Sequence, residues 1–208
     1  MTTTRKAGRP RAASRHLLEE AACELFLEQG FAATSVVEIT TRAGVSRSTF
    51  FNYFETKSDL LWATFDELVG LLPQALREAH DGAGGLRPAV TTALRHLAQQ
   101  LPADNVALAF SQDSAMGLGE ELSLAAARRG AQVRDAVATF LRSAGLPSLR
   151  AEVVAACYSG ALMAAVRSWS LAGPARVRLP DVLSDAVEAL PPSRPSHQPA
   201  MPDLGLQA

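Results

Sequence analysis

The sequence is poor in the residues that mark disulfide-rich, β-rich and membrane-spanning proteins. Its 208 residues include two Cys, two Tyr, two Trp and eight Phe. The cysteines, Cys23 and Cys157, lie far apart in apolar helical patterns, so they predict buried hydrophobes and not a disulfide framework. The longest apolar stretch, Val153 to Val166, is shorter than the roughly 20 residues that a membrane span requires. No segment alternates as a strand would, which leaves a helical protein.

The residues that enzymes use for catalysis are sparse and scattered. The four histidines show no paired metal-ligand spacing, and no nucleophile stands in a recognisable setting. We therefore expect no enzyme, no metal site and no cofactor. No apolar leader opens the sequence, so we also expect no secretory signal and a cytoplasmic protein.

Charge is balanced overall but unevenly distributed. The net charge of −1 excludes a polycation. The N-terminal segment holds basic residues and no acid: Arg5, Lys6, Arg9, Arg11 and Arg15. A basic arm of this kind is typical both of nucleic-acid-binding proteins and of solvated tails, so the arm alone does not decide between these two interpretations. At the other end, residues 191–208 hold five prolines, which predicts a disordered tail.

Helical periodicity, with breaks at glycine and proline, predicts an all-α protein of two domains. We expect a flexible basic arm over residues 1–11 and a three-helix helix-turn-helix domain over 12–57. A long helix from about Leu60 to Ala79 joins this domain to a second helical domain over 58–190. Residues 191–208 form the proline-rich tail. Further helices are predicted near residues 86–101, 104–115, 119–144, 149–172 and 180–190.

Residues 34–54 have the spacing of a helix-turn-helix motif. Thr34 and Ser35 offer a capping hydroxyl, and Glu38 stands where a capping box requires it. Gly44 ends this short helix, and Ser46 caps the next one.

The second helix of the motif lies in VSRSTFFNYFETK, which places four aromatic residues in a polar segment. Phe50 and Phe54 lie four residues apart, so they share the face that packs into the core. Arginine and asparagine side chains can read base edges in the major groove, and hydroxyls can reach phosphates. The segment therefore predicts a DNA-reading helix. Its outward residues are Ser46, Arg47, Ser48, Phe51, Asn52 and Tyr53.

The run FLEQGFAATSVVEITTRAGVSRSTFFNYFETKSDLLW resembles the DNA-binding domain of the TetR family of bacterial transcriptional repressors. The resemblance covers residues from about 12 to 62. It implies a homodimer that binds palindromic double-stranded operator DNA. It also implies a C-terminal helical domain that binds a small molecule and then releases the operator.

The resemblance also assigns roles by position. Thr34 matches the cap of the first motif helix, which contacts a phosphate, and Lys57 matches a lysine that contacts phosphate at the next helix. Phe51 replaces the common tyrosine, so one hydroxyl contact with phosphate is in doubt. Base and backbone contacts are implied for Ser46, Arg47, Ser48, Asn52 and Tyr53. Arg42 is expected to be a surface residue or a DNA-backbone contact and not a base reader, and Glu19, Glu20, Glu24 and Glu28 are expected to form a solvated face.

The C-terminal half is similar to the TetR subgroup with an acyl-CoA-like ligand-binding domain, on LRPAVTTALRHLAQQLPAD and GALMAAVRSWSLAG. That similarity implies a small apolar or acyl-type effector. Arg128 and Arg129 are expected on a solvated helix face, with contact to a phosphate or carboxylate as the alternative. Residues available to line an apolar site, each of which also fits plain core, are Phe65, Leu68, Leu72, Leu97, Leu101, Phe110, Met116, Tyr158 and Trp169.

Small residues around Gly160, between Val153 and Trp169, predict a dimer face shared with the helix near 180–190, although a buried intrachain helix fits the same pattern. Two functional alternatives stay open at this point. One is a helical protein-interaction module without DNA binding. The other is a constitutive or activating regulator.

Overall fold

The computed structural model of the protein describes residues 11–82 and 84–190, and this part is helical with no strand. The predicted basic arm, up to residue 10, and the proline-rich tail lie outside the described residues. The helices are α1 (Arg11–Gln29), α2 (Val36–Ala43), α3 (Arg47–Phe51), a 3-10 helix (Lys57–Leu61), α4 (Ala63–Gly82), α5 (Leu86–Gln100), α6 (Asn105–Ser111), α7 (Asp113–Met116), α8 (Gly119–Ser143), α9 (Ser148–Ala172) and α10 (Leu179–Glu188).

Local signals in the sequence set the ends of the motif helices. Ser35 caps α2 in a capping box: its hydroxyl accepts from the Glu38 N–H at 3.2 Å, and the Glu38 carboxylate accepts from the Ser35 N–H at 2.8 Å. Gly44 ends α2 with φ 65°, a left-handed conformation that costs glycine little. Ser46 then caps α3 by accepting from the Thr49 N–H at 3.1 Å. The predicted capping box and turn are confirmed.

The second domain surrounds the long helix α4. Phe65, Val69, Leu72 and Leu76 recur along one face of α4 and are buried, and the helix runs continuously through Pro73. Each such side chain contributes about 1.5–3 kcal/mol when it leaves water. Helix α4 packs along α5 and α8, while α9 packs against α6, α8 and α10.

Helix α9 extends well beyond the apolar stretch from Val153 to Val166. Ser148–Ala172 is 25 residues long and apolar enough to cross a membrane by length and composition. Core helices of soluble proteins satisfy the same criterion, and 44% of the apolar window is buried in the protein. The described part of the chain contains one helix of this kind. Its buried face is part of the second domain's core.

The two domains share one continuous hydrophobic core. The 3-10 helix lies at the junction, because it packs against α1 on one side and against α6 and α8 on the other. Leu60, Leu61 and Trp62 are fully buried there. Cys23 is a buried free thiol, as expected. Cys157 was also expected to be buried, but it is half-buried.

Candidate DNA-binding surface

Helix α3 has one buried face and one exposed face. Phe50 is completely buried and Phe54 is 5% exposed, and their ring centroids lie 5.7 Å apart. These two side chains fix α3 on the core of the N-terminal domain. The spacing argument from the sequence is confirmed on this point.

The other face of α3 is open to solvent. Phe51 is 50% exposed although its neighbour Phe50 is buried, and the Arg47 guanidinium lies 5.5 Å from the centre of the Phe51 ring. Ser46 uses its hydroxyl as the helix cap and lies within 2.8 Å of the Ser48 hydroxyl. Asn52 ends the helix and is exposed, whereas Tyr53 is half-buried. The structure therefore brings together a short row of polar and aromatic side chains on one surface.

Of the two predicted phosphate contacts, Thr34 is buried and Lys57 is half-buried. Thr34 is 2% exposed, and its hydroxyl donates to the Gly30 carbonyl at 2.8 Å. The residue that caps α2 is Ser35, so the assignment of the cap to Thr34 was wrong. The physical reason is that the loop turns Thr34 inward to satisfy the carbonyl at the end of α1.

Lys57 holds the same loop from the other side. Its ammonium donates to the carbonyl oxygens of Phe31 and, at 2.8 Å, of Thr34, and it lies 4.1 Å from the centre of the Phe31 ring. Partial burial lowers the pKa of Lys57, against the opposing effect of Glu121 and Glu38. Its role as a phosphate contact stays a prediction, and its visible role is to bind the α1–α2 loop.

Arg42 is engaged with acids, as expected for a surface residue. Its guanidinium makes paired hydrogen bonds to Glu28 at 2.8 and 2.7 Å and reaches Glu24 at 3.3 Å. The Glu28 hydrogen bonds, together with those of Glu24, raise the pKa of Arg42, and Arg42 lowers the pKa of Glu28 in return. Arg42 therefore differs from Arg47, because Arg42 is paired with carboxylates whereas Arg47 lies beside the Phe51 ring.

The family model for bacterial regulatory proteins of the tetR family matches residues 18–64, which include α2, α3 and the 3-10 helix. This segment of the chain is therefore similar to bacterial regulatory proteins of the tetR family. Over 89 residues it is 35% identical to the putative mycofactocin biosynthesis transcriptional regulator MftR of Mycobacterium tuberculosis, covering 43% of this chain and 44% of that protein. Over 85 residues it is 39% identical to the transcriptional activator FasR of Mycolicibacterium smegmatis, covering 39% of each. The chain thus spans less than half the length of these relatives.

Solved structures extend the TetR likeness to the fold of the whole described chain. A putative TetR-family regulator from Syntrophomonas wolfei aligns with a TM-score of 0.56 at 13% identity, over 86% of this chain and 93% of that one. A second, from Rhodococcus sp., aligns with a TM-score of 0.51 at 21% identity, over 86% and 96%. The all-α architecture, with an N-terminal helix-turn-helix domain and a C-terminal helical domain, is that of the TetR fold.

The predicted effector residues of this chain do not form one site. Leu68, Leu72 and Leu97 line a groove of about 160 Å³ between α4 and α5. Phe65 and Phe110 instead contact the ring of Trp62 at the domain junction, with centroids 5.5 and 5.9 Å away. The Met116 side chain is buried, and its carbonyl accepts from the Phe31 N–H at 2.7 Å. Leu101, Tyr158 and Trp169 are buried core residues.

The sequence analysis missed two charged groups that lie inside this junction. Arg129 was expected on a solvated helix face but is 3% exposed and binds Asp66 and Asp59. A signal existed, because Arg129 falls at helical spacing between Ala125 and Val133, both of which are buried. No metal-binding group of three or more His, Cys, Asp or Glu side chains is found within residues 11–82 and 84–190.

Glu19 is the second missed group, since it was expected on a solvated face and is 9% exposed. It accepts from Arg15 at 2.7 Å. Burial raises the pKa of Glu19, against the effect of Arg15, and Asp104 raises it further. Burial also raises the pKa of Asp104, which accepts from the Thr64 hydroxyl at 3.2 Å.

A Glu19→Gln substitution is expected to stabilise the protein at neutral pH. A carboxyl group whose pKa is higher in the folded state favours folding most below its unfolded pKa and loses that contribution as pH rises through the folded pKa. The melting temperature of the variant should therefore exceed that of wild type by a few degrees at pH 7 and approach it near pH 4. Glu20→Gln, on the exposed neighbour, is the control. Equal melting curves for the two variants at pH 7 would contradict the argument.

Proposed function

We propose that the protein is a DNA-binding transcriptional regulator that acts on operator DNA in the cytoplasm and is not an enzyme. One observation carries the proposal: α3 is anchored by Phe50 and Phe54, so that Arg47, Ser48 and Asn52 face solvent together. Guanidinium, hydroxyl and amide groups on one short helix match the donors and acceptors of the major groove. The shared N-terminal domain of the named regulators supports the same function.

Binding to a DNA site selected from a random-sequence library tests the proposal. Fluorescence anisotropy should show binding that weakens steeply between low and moderate salt, because phosphate contacts release counterions. A chain that selects no sequence and binds no DNA at low salt would instead fit the protein-interaction module. The direction of regulation is a separate matter, since FasR is named an activator.

Arg47→Ala is expected to reduce sequence discrimination more than overall affinity. Arg47 is exposed at the start of α3, where a bidentate contact with a base contributes about 1–3 kcal/mol of discrimination. Affinity for the selected site should fall roughly tenfold or more while affinity for random DNA changes little. Competition anisotropy with both DNAs measures the ratio. Arg42→Ala is the matched control, because Arg42 is paired with Glu28 and Glu24.

The proposed assembly is a homodimer through α9. Leu149, Val153 and Leu171 are exposed on α9, with the small residues Gly160 and Ala164 between them on the same side of the helix. Apolar and small side chains at this spacing form a stripe on which a second α9 can approach closely. Two DNA-binding domains on a two-fold axis would then match a palindromic operator.

Gly160→Glu is expected to break the dimer without unfolding the chain. A Cβ added at Gly160 meets nothing within 4 Å beyond its own turn of the helix, so the variant has room in the monomer. In a close α9–α9 contact, two carboxylates would face each other without partners. Light scattering should give the monomer mass, with an unchanged circular dichroism spectrum and operator binding weakened at least tenfold. A dimer that survives this change would place the interface elsewhere.

The proposed effector is a small apolar molecule bound in the groove between α4 and α5. The groove floor is Leu68, Leu72 and Leu97, and its rim includes Glu78 and His96. None of the described lining residues is Lys or Arg, so the groove suits a neutral apolar ligand better than the phosphates of an acyl-CoA. A ligand acts on DNA binding only if it prefers one conformation.

Thermal shift assays with methyl esters of short and medium-chain fatty acids, set against the anionic free acids and the CoA thioesters, test the effector class. The uncharged esters should raise the melting temperature, and Leu72→Trp, which fills the groove, should abolish the shift. Stabilisation by the CoA thioesters alone would overturn the assignment to this groove. Operator binding that persists at saturating effector would point to a constitutive regulator.

A further inference from the structure

The buried Arg129 side chain occupies the centre of a charge cluster that joins three helices. Its Nε donates to Asp66 at 2.9 Å, and one terminal nitrogen donates to Asp66 at 2.7 Å and to Asp59 at 3.0 Å. The guanidinium lies 5.1 Å from the centre of the Trp62 ring. One arginine on α8 thus contacts the 3-10 helix, its C-terminal flank and α4 at the same time.

The cluster reaches the segment that follows the DNA-reading helix. The second oxygen of Asp59 accepts from the Thr56 N–H at 2.8 Å and from the Thr56 hydroxyl at 2.9 Å. Burial alone would raise the pKa of Asp59, but hydrogen bonds from Thr56 and Arg129 outweigh it and lower the pKa. Asp59 is therefore a carboxylate at neutral pH that ties Thr56, four residues after Asn52, to α8.

A contribution to folding stability does not by itself explain why the protein has this charge cluster. Burying an ion pair costs desolvation, and apolar replacements of similar volume are often equally stable. An arginine fork, by contrast, fixes direction as well as distance to its carboxylates. Beside the cluster lies a cleft of about 470 Å³ between the two domains, lined by Tyr53, Arg128 and Gln132 among others. This cleft gives the N-terminal domain room to move if the cluster breaks.

We propose that Arg129 is a positioning residue that fixes the orientation of the DNA-binding domain against the C-terminal domain through Asp59 and Asp66. Its effect on operator selection rests on the proposed DNA-binding function. Its effect on domain orientation does not, and the two are measured separately.

The variants are designed to separate orientation from folding. Arg129→Lys keeps the charge, but a single ammonium cannot reproduce the fork that holds both carboxylates. Asp66→Asn keeps the shape of a side chain that is 35% exposed, so it folds even if Arg129 variants do not. Arg134→Lys is the matched control on the same helix, because Arg134 pairs at the surface with Asp135.

Pulsed electron paramagnetic resonance measures the orientation without DNA. Nitroxides are placed on the full-length chain at Ser48→Cys and Thr139→Cys, both at exposed positions. Cys157→Ala removes the half-buried thiol, while Cys23 is buried and its pKa is raised to about 12 by burial, so it does not label. Dilution with unlabelled protein isolates the distance within one chain.

Wild type and Arg134→Lys should give one narrow distance distribution, and Arg129→Lys and Asp66→Asn a broader or shifted one. The same two variants should lose about tenfold in affinity for the selected palindrome and tolerate half-site spacings changed by one or two base pairs. Unchanged distances in folded Arg129→Lys and Asp66→Asn overturn the inference, whatever the DNA result. Altered distances in a protein that binds no DNA support the positioning role and reject the proposed function alone.

Discussion

Phe50→Ala should unfold the DNA-binding domain under conditions in which the wild-type protein is stable. The Phe50 side chain is completely buried and contacts the rings of Phe51 and Phe54. Removing a buried phenylalanine costs about 3–5 kcal/mol through lost burial and the cavity left behind. Helix α3 has only five residues and cannot persist without its packing. Urea denaturation should show the loss of stability, and DNA binding should disappear with it.

Phe51→Ala is the matched comparison, because the two residues are adjacent and chemically identical. Phe51 is 50% exposed, so its removal should change the free energy of unfolding by less than about 0.5 kcal/mol. Operator affinity should nevertheless fall several-fold, since Phe51 and Arg47 lie on the proposed DNA surface. The reverse result, with Phe51→Ala destabilised and Phe50→Ala stable, would show that α3 is rotated and would remove the basis of the proposed function.

Features of the DNA-binding domain that depend on neighbouring residues could be predicted from the sequence. The capping box joins Ser35 to Glu38, three residues away, and Gly44 stands at the end of α2, where the backbone turns left-handed. The division of α3 into two faces follows from the spacing of Phe50 and Phe54 alone. Each of these is a local relation within one helical turn, so no knowledge of the tertiary structure was needed.

Features that depend on distant partners could not be predicted in the same way. Arg129 binds carboxylates 63 and 70 residues away, and Lys57 binds carbonyls 23 and 26 residues away. Charged side chains are usually solvated, so a sequence reading places them at the surface unless their spacing shows otherwise. The prediction that Thr34 caps α2 was wrong for a related reason. Thr34 and Ser35 both carry a hydroxyl that could cap the helix, and only the path of the loop determines which of them does so.

The effector-binding residues could not be identified from the sequence for a third reason, which is chemical. Core and pocket lining use the same apolar residue types, so Leu72 and Trp169 look alike in the sequence. The structure separates them by position: Leu72 borders the groove between α4 and α5, while Trp169 is buried elsewhere in the core. Helical periodicity identifies the inward face of a helix, but whether that face closes tightly depends on the shapes of all its neighbours.

The position of Trp62 connects these observations, because it lies where the domains meet. Its ring is completely buried and contacts Phe65 of α4, Phe110 of α6 and Arg129 of α8. A movement of α4 or α6 caused by an effector would reach the 3-10 helix, and hence α3, in part through this side chain. Packed cores shift between discrete arrangements and do not deform continuously, which makes such a contact an efficient coupling point.

Trp62→Ala is therefore expected to cost about 3–5 kcal/mol and to separate the unfolding of the two domains. Calorimetry of the wild type should show one transition, because one continuous core joins the domains. The variant should show two, with the DNA-binding domain melting first because it has the smaller core. A single transition at an unchanged temperature would show that Trp62 does not couple the domains.

Trp62→Phe tests whether the ring or its N–H group stabilises the junction. The buried Nε1–H finds no acceptor among the described residues, so the tryptophan bears the cost of an unsatisfied donor. Phenylalanine removes that donor and keeps most of the aromatic contact with Phe65, Phe110 and Arg129, while leaving a smaller cavity. These opposing effects are each about 1–3 kcal/mol, so the variant should melt close to wild type in a single transition. If Trp62→Phe were as unstable as Trp62→Ala, the indole N–H would have a partner that carries the coupling, and packing would not be its cause.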